Sequence, residues 1–350
     1  MNRLSLSVFC KVDNWLQDQD PSAQGAGCWS PGDGRVPCSG TPTSGEGAGD
    51  SPAHIPLSLQ VQPPDPASIR VLRGHQLPVT CLVISPDDRF IFSASKDGAV
   101  IKWEVESGKR LCVVPGGKKG TEERHMGHAS HVLCMAISSD GKYLATGDRN
   151  KLIMIWDAAT CKRLHIFTGH HDAVSGLSFR KGTHQLYSAS HDRCVKVWDV
   201  AENAYVETLF GHQDVITGLD SLSRECCVTA GGRDGTVRLW KIPEESQLVF
   251  CGHQGSIDCI QLINEEHMVS GADDGSVALW GLTKKKPLAL GRPAAGTEAQ
   301  LCSHSASVKL WKSSEGFRKL EPLWDIPLGL RAAAQCKGFG GGMFTMARCG

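Results

Sequence analysis

The stretch GHQDVITGLDSLSRECCVTAGGRDGTVRLW, residues 211–240, opens on a Gly-His pair and closes on a tryptophan. Both ends recur along the chain. Gly-His stands at Gly74-His75, Gly127-His128, Gly169-His170, Gly211-His212 and Gly252-His253, and a tryptophan follows at Trp103, Trp156, Trp198, Trp240 and Trp280. The glycine-to-tryptophan distance is 29 residues in the first four units and 28 in the fifth, and the pairs are 53, 42, 42 and 41 residues apart. The longer first step carries an insertion, PGGKKGTEERHMGH, at 115–128.

Within a unit the pattern is short alternating segments between turns. The third reads AVSGLSF, QLYSAS, CVKVWDV and YVETLF, separated by RKGTH, HDR and AENA. Period-two alternation over about six residues, bounded by turn formers, predicts strands, and no helical period competes with it. Four strands repeated about every 42 residues describe the blade of a β-propeller. The expected fold is therefore all-β, with five complete blades and a partial sixth. Trp311 marks that sixth unit, but it follows Trp280 by only 31 residues and has no Gly-His pair before it. A propeller avoids exposed edges by closing its ring, so the missing strands put closure in question.

Outside the repeats the composition changes. Residues 1–66 are read as a disordered leader, because the Gly, Pro and Ser of 21–50 cannot bury enough surface to offset ordering entropy. Residues 67–328 form the propeller, and 329–350 have no strand pattern and are expected to be an irregular tail. The first twenty residues have a short, serine-containing apolar stretch and do not read as a secretory signal. Thirty-seven basic residues balance 37 acidic ones, which excludes a strongly basic nucleic-acid coat. The longest apolar runs, such as Leu152 to Trp156, are too short to cross a bilayer. Fifteen scattered cysteines lack both the setting of a disulfide framework and zinc spacing, and read as reduced thiols. Three of them, Cys81, Cys134 and Cys259, stand seven residues after a Gly-His glycine. Gly176 and Gly218 hold that place in the other units. The first strand of each blade is expected to line a narrow central channel, where small side chains fit the convergence of the blades.

Spacing also selects a polar set. Six residues before the tryptophan stand Asp97, Asp192, Asp234 and Asp274; ten before it stand Ser93, Thr146, Ser188 and Ser270. A buried imidazole needs a donor and an acceptor, and an indole N–H needs an acceptor. The predicted structural network thus joins His75, His128, His170, His212 and His253 to these residues and to the five tryptophans. Asn150 fills the acidic slot of the second unit and Ala230 the hydroxyl slot of the fourth, predicting weaker networks there. His, Ser and Asp together invite comparison with a catalytic triad, but one constellation repeated in every unit is a structural device. With no phosphate loop, no metal spacing and no nucleophile paired with a base outside the repeat, the chain is expected to be noncatalytic and to need no metal, cofactor or small-molecule substrate.

The residues in RVLRGHQLPVTCLVISPDD (70–88), HVLCMAISSDGKYLATGDRNKLIMIW (131–156) and the remaining units to Leu282 resemble, loops included, the WD-repeat subunits of the U3 small nucleolar ribonucleoprotein. The resemblance runs from about 67 to 290 and resumes over 303–328. It implies a seven-bladed parent fold. It also implies binding of U3 small nucleolar RNA at its box B/C element beside a small kink-turn-binding protein, among other small-subunit processome proteins. The implied process is pre-ribosomal RNA processing in the nucleolus of the nucleus, for small-subunit biogenesis. The family's charged N-terminal region and seventh blade are not visible, so this chain reads as a form with both ends altered.

The turn before each acidic slot offers candidates for RNA contact: Lys96, Arg149, His191 and Arg233, with Asp273 in the fifth unit. The insertion adds Lys118, Lys119 and Arg124, partly cancelled by Glu122 and Glu123. Together these make a basic arc suited to phosphates and to the shape of a kinked RNA. Arg180-Lys181 and Lys284 to Lys286 lie on the opposite face. A generic protein-interaction scaffold or substrate adaptor using the same face is the competing expectation.

Overall fold

A computed structural model describes residues 72–117 and 126–291, together with the strand backbones at 307–313, 320–327 and 343–347. Five four-stranded antiparallel sheets form in chain order. Blade one is β1 (Val79–Ile84), β2 (Phe90–Ser95), β3 (Val100–Glu104) and β4 (Arg110–Val114). Blade two is β5 (Val132–Ile137), β6 (Tyr143–Asp148), β7 (Ile153–Asp157) and β8 (Arg163–Phe167). Blade three is β9 (Val174–Phe179), β10 (Gln185–Ser190), β11 (Cys194–Asp199) and β12 (Ala204–Phe210). Blade four is β13 (Ile216–Ser221), β14 (Cys226–Gly231), β15 (Thr236–Lys241) and β16 (Ser246–Cys251). Blade five is β17 (Ile257–Leu262), β18 (His267–Ala272), β19 (Val277–Gly281) and the short β20 (Ala289–Gly291). Among the described residues there is no helix. The strands predicted for the third unit are those of blade three, to within a residue or two at each end.

The apolar cores lie between blades rather than within them. Phe92, Val100, Leu144, Met154 and Trp156 close the joint of blades one and two, and Ile153, Ile155, Leu177, Leu186 and Trp198 the next. Tyr187, Val197, Ile216 and Trp240 follow, and then Leu239, Phe250, Ile260 and Trp280. The period-two geometry of a strand makes this possible, since Leu186 and Tyr187 face opposite neighbours. Middle strands buried on both sides must be apolar nearly throughout, as IMIWD of β7 is.

Adjacent inner strands are also stitched by side chains. Thr80 donates to the Val132 carbonyl at 2.6 Å, Ser175 to that of Ile216, and Thr217 to that of Ile257 at 2.7 Å. Between blades two and three the donor is the Cys134 thiol, 3.5 Å from the Val174 carbonyl. The small residues stand where blades converge, as their spacing led us to expect. At Gly176 an added Cβ would stand 3.0 Å from Leu219 Cβ and at Gly218 3.2 Å from Ile260 Cγ2, so the approach of the next blade sets the limit. Burial pushes the Cys81 thiol up to about 12, which suits a packing role.

The leader and the insertion residues 118–125 lie outside the described residues. So do residues 69–71 of the segment Ile69 to Leu72, which ring closure would borrow as an outer strand. Around Trp311 there is a three-stranded sheet in the order β22 (Leu320–Pro327), β21 (Ser307–Ser313), β23 (Met343–Ala347). The tail expected to be irregular therefore contributes a strand, with Phe344 paired opposite Trp311. MFTMA lacks the polar-apolar alternation that a one-sided strand shows, which is why the sequence pattern missed it.

Candidate nucleic-acid interface

Each blade is locked by a hydrogen-bonded chain that runs from its tryptophan to the loop in front of its inner strand. In blade three Trp198 Nε1 donates to Ser188 Oγ at 2.8 Å, Ser188 Oγ lies 2.7 Å from His170 Nε2, and His170 Nδ1 lies 2.9 Å from Asp192 Oδ2. With Nδ1 donating to the carboxylate, Nε2 is left to accept from the serine hydroxyl. Burial would raise the Asp192 carboxyl, but the bonds from His170 and from the His171 and Cys194 amides hold it well below the usual range. Ser188 is fully buried and already bonded to three partners, the third being the Lys196 carbonyl at 3.4 Å, so no substrate reaches it.

Two slots are filled differently from the spacing prediction, and neither blade is short of a link. In blade two the carboxylate is Asp148, not Asn150: Asp148 Oδ2 lies 2.9 Å from His128 Nδ1, and both side chains are fully buried. Thr146 completes the chain, receiving Trp156 Nε1 at 2.8 Å and lying 2.5 Å from His128 Nε2. Asp148 stands where blades one and three have Ser95 and Ser190, at the end of the second strand, so the acid comes from the sheet rather than the turn. In blade four Thr229, not Ala230, receives Trp240 Nε1 at 2.8 Å and lies 2.7 Å from His212 Nε2, with His212 Nδ1 2.7 Å from Asp234. In sheet register Thr229 is two residues beyond the partner of its tryptophan, as Ser188 is; the turn that follows holds one extra residue at Gly231-Gly232.

The end blades vary the theme. In blade five Trp280 Nε1 and His253 Nε2 meet Ser270, but His253 Nδ1 is 2.8 Å from Ser276 Oγ. Asp274 acts one step back, accepting the Ser276 amide at 2.9 Å. In blade one Trp103 and His75 meet Ser93, while His75 Nδ1 stands 3.8 Å from Asp97 and has no hydrogen-bond partner.

The same chains place the candidate RNA-contacting residues. The Lys96 amide donates to the Pro78 carbonyl, that of Arg149 to His131 and that of His191 to Ala173, each pinning the β2–β3, β6–β7 or β10–β11 turn to the loop that carries its histidine. In blade four the extra residue shifts this bond to Gly232 and Val215, and the Arg233 amide donates instead to Asp214 at 3.2 Å. The four residues occupy corresponding turns on one face; Arg149 and Arg233 are exposed, Lys96 and His191 half-buried. Blade five turns acidic there, with Asp273 and Asp274 exposed. Lys118, Lys119 and Arg124 lie outside the described residues. On the opposite face Arg180 is bound to Glu225 at 2.6 Å and Lys181 to Glu265 at 3.7 Å, so these cations tie blade three to blades four and five. The spacing rule missed Asp148, Thr229 and Ser276; counting from the strand ends instead of the tryptophan recovers Thr229.

Five blades built on this His–hydroxyl–Trp chain define a WD-repeat β-propeller protein. The family described as WD domain, G-beta repeat matches residues 66–104, 120–157, 161–199, 203–241 and 244–281. The chain is 68% identical over 294 residues to U3 small nucleolar RNA-interacting protein 2 of Homo sapiens, covering 78% of this chain and 62% of that protein. It is 27% identical over 289 residues to Ribosomal RNA-processing protein 9 of Saccharomyces cerevisiae, covering 67% of this chain and 50% of that protein. A solved structure of U3-55K superposes with a TM-score of 0.71 at 56% identity, covering 81% of this chain and all of that one. The chain belongs to the WD-repeat family and, within it, is similar to U3 small nucleolar RNA-interacting proteins. It spans about 62% of the length of the human relative.

Proposed function

We propose that the chain is a noncatalytic RNA-protein assembly subunit of the U3 small nucleolar ribonucleoprotein, acting in pre-ribosomal RNA processing and small-subunit biogenesis in the nucleolus. Its ligand in this reading is U3 small nucleolar RNA at the box B/C element, beside a small kink-turn-binding protein and other processome proteins. The observation that carries it is the likeness to U3-interacting relatives joined to the arc of Lys96, Arg149, His191 and Arg233, which successive blades present in corresponding turns. Lys118, Lys119 and Arg124 extend the arc in this reading. Phosphates of a bent strand, rather than base edges, are the natural ligand for basic and hydrogen-bond-donating side chains spaced by one blade each.

Titration of a U3 small nucleolar RNA transcript against the full chain tests this. About four neutralised phosphates give a log-log salt slope near −3. A slope near zero, or equal affinity for a random transcript of the same length, would remove the RNA reading. A protein-interaction scaffold is the second reading, favoured by Tyr205, Val206 and Phe210, which leave β12 with an exposed apolar outer edge.

A further inference from the structure

The turn between the second and third strands passes through the left-handed region at one residue in every blade, closed each time by the amide of that residue bonding three residues back. In blades one, four and five the residue is Gly98 (φ +78°), Gly235 (φ +63°) or Gly275 (φ +79°). In blades two and three it is Lys151 (φ +72°) and Arg193 (φ +69°). Glycine is the unstrained choice there, because a Cβ crowds the following carbonyl, and lysine and arginine lack the local hydrogen bonding that lets Asn and Asp tolerate it. Other left-handed side chains, Asp88, Cys161, Asn203 and Glu245, lie in turns of the opposite face. What sets Lys151 and Arg193 apart is that both are cations, at the same place, in adjacent blades.

Their surroundings favour a ligand of opposite charge. Both are exposed, and among the described residues neither side chain makes a hydrogen bond or an ion pair. Each follows within two residues of a member of the arc, Arg149 or His191. The nearby acids are engaged: Asp192, next to Arg193, by His170 and the His171 and Cys194 amides, and exposed Asp172 by the Ala173 amide. In blade one no side chain fits, since a Cβ on Gly98 would stand 2.6 Å from the His128 carbonyl oxygen. Backbone strain kept at a surface position is a pointer to function when a specific ligand can be named for it.

We propose that Lys151 and Arg193 contact RNA phosphates and centre the RNA on the joint between blades two and three. The proposal rests on the RNA reading above and adds two residues to it. Arg149, Lys151, His191 and Arg193 then form one patch across two adjacent turns, with Lys96 and Arg233 on its flanks.

The test is the double variant Lys151→Gly, Arg193→Gly in the full chain, titrated with a U3 small nucleolar RNA transcript from 0.1 to 1 M salt and melted in parallel. Glycine relieves the left-handed strain, so the melting temperature stays the same or rises, whereas a purely structural role would lower it. Losing two phosphate contacts makes the salt slope shallower by about 1.4 and weakens binding about 25-fold at 0.1 M, with the curves converging toward 1 M. If wild type shows no salt-dependent binding, the RNA reading itself fails. If wild type binds and the variant matches it in affinity and slope, the RNA reading stands and this proposal falls. Competition by polyglutamate as effective as that by RNA would assign the patch to an acidic protein segment and overturn it as well.

Discussion

His128 and Asp148 form the most deeply buried of the histidine–carboxylate links in the repeated network: Nδ1 and Oδ2 are 2.9 Å apart and both side chains are fully shielded from solvent. Spacing from the tryptophan points to Asn150, two residues on. The two positions therefore make opposite predictions. Asp148→Ala orphans a buried imidazole N–H and is expected to destabilise by about 1–3 kcal/mol. Asn150→Ala, in the half-buried turn, is expected to stay within about 0.5 kcal/mol. Urea denaturation of both variants decides it, and equal midpoints would refute the assignment.

In blade four the hydroxyl that receives Trp240 belongs to Thr229. Thr229→Ala is expected to lower the melting temperature and Thr229→Ser to retain most of it, because the oxygen is kept. Ala230→Ser introduced into Thr229→Ala does not restore stability, since alternate residues of β14 face opposite neighbours. Recovery in that double variant would mean that the register is wrong.

Close packing between blades makes Gly147 a sensitive position. A Cβ there would lie 2.7 Å from both Cys134 Sγ and Val174 Cγ1, joining blade two to blade three without slack. Gly147→Ala is expected to cost about 1–3 kcal/mol, more than an exposed Gly182→Ala judged by space alone, although Gly182 at φ +77° adds backbone strain of its own. Thermal melts of the two variants give the comparison.

Stability is expected to fall on acidification in two stages. Burial lowers the folded-state pKa of His75, His212 and His253, so between that value and about 6.5 the unfolded chain holds more protons and acid pulls toward it. These three contributions are complete above about pH 6.5 and fade below it. Asp97, Asp192 and Asp234 have lowered folded values, because bonds to the carboxylate outweigh burial. Their contribution is complete above the unfolded carboxyl range and is lost below about pH 4. A melting temperature flat from pH 7 to pH 5 would contradict the first stage.

Much of this architecture was legible because its determinants are local. The third unit's alternation and turn residues match β9 to β12, and its Gly-His, Ser, Asp and Trp meet as His170, Ser188, Asp192 and Trp198. The family match confirms the WD repeats, and the relatives are of the kind that its loops resemble. The errors arose wherever a linear count crossed a turn. One extra residue at Gly231-Gly232 moved the hydroxyl from 230 to 229, and the acid of blade two came from the strand end.

By itself the sequence determined the five repeated blades, the strands within each unit and which residue types lock each blade, since strand period, turn chemistry and repeat length act over a few residues. Tertiary structure alone decided which atoms meet. Blades bury both faces of their middle strands against neighbours, so the need for glycine at 147 and 176 and the capture of Arg180 by Glu225 depend on the next blade, as with the 45 residues between Arg180 and Glu225. The same holds for the rim: spacing from the tryptophan aligns Lys151 and Arg193 with Gly98, Gly235 and Gly275, but only the backbone dihedrals show that this position is left-handed.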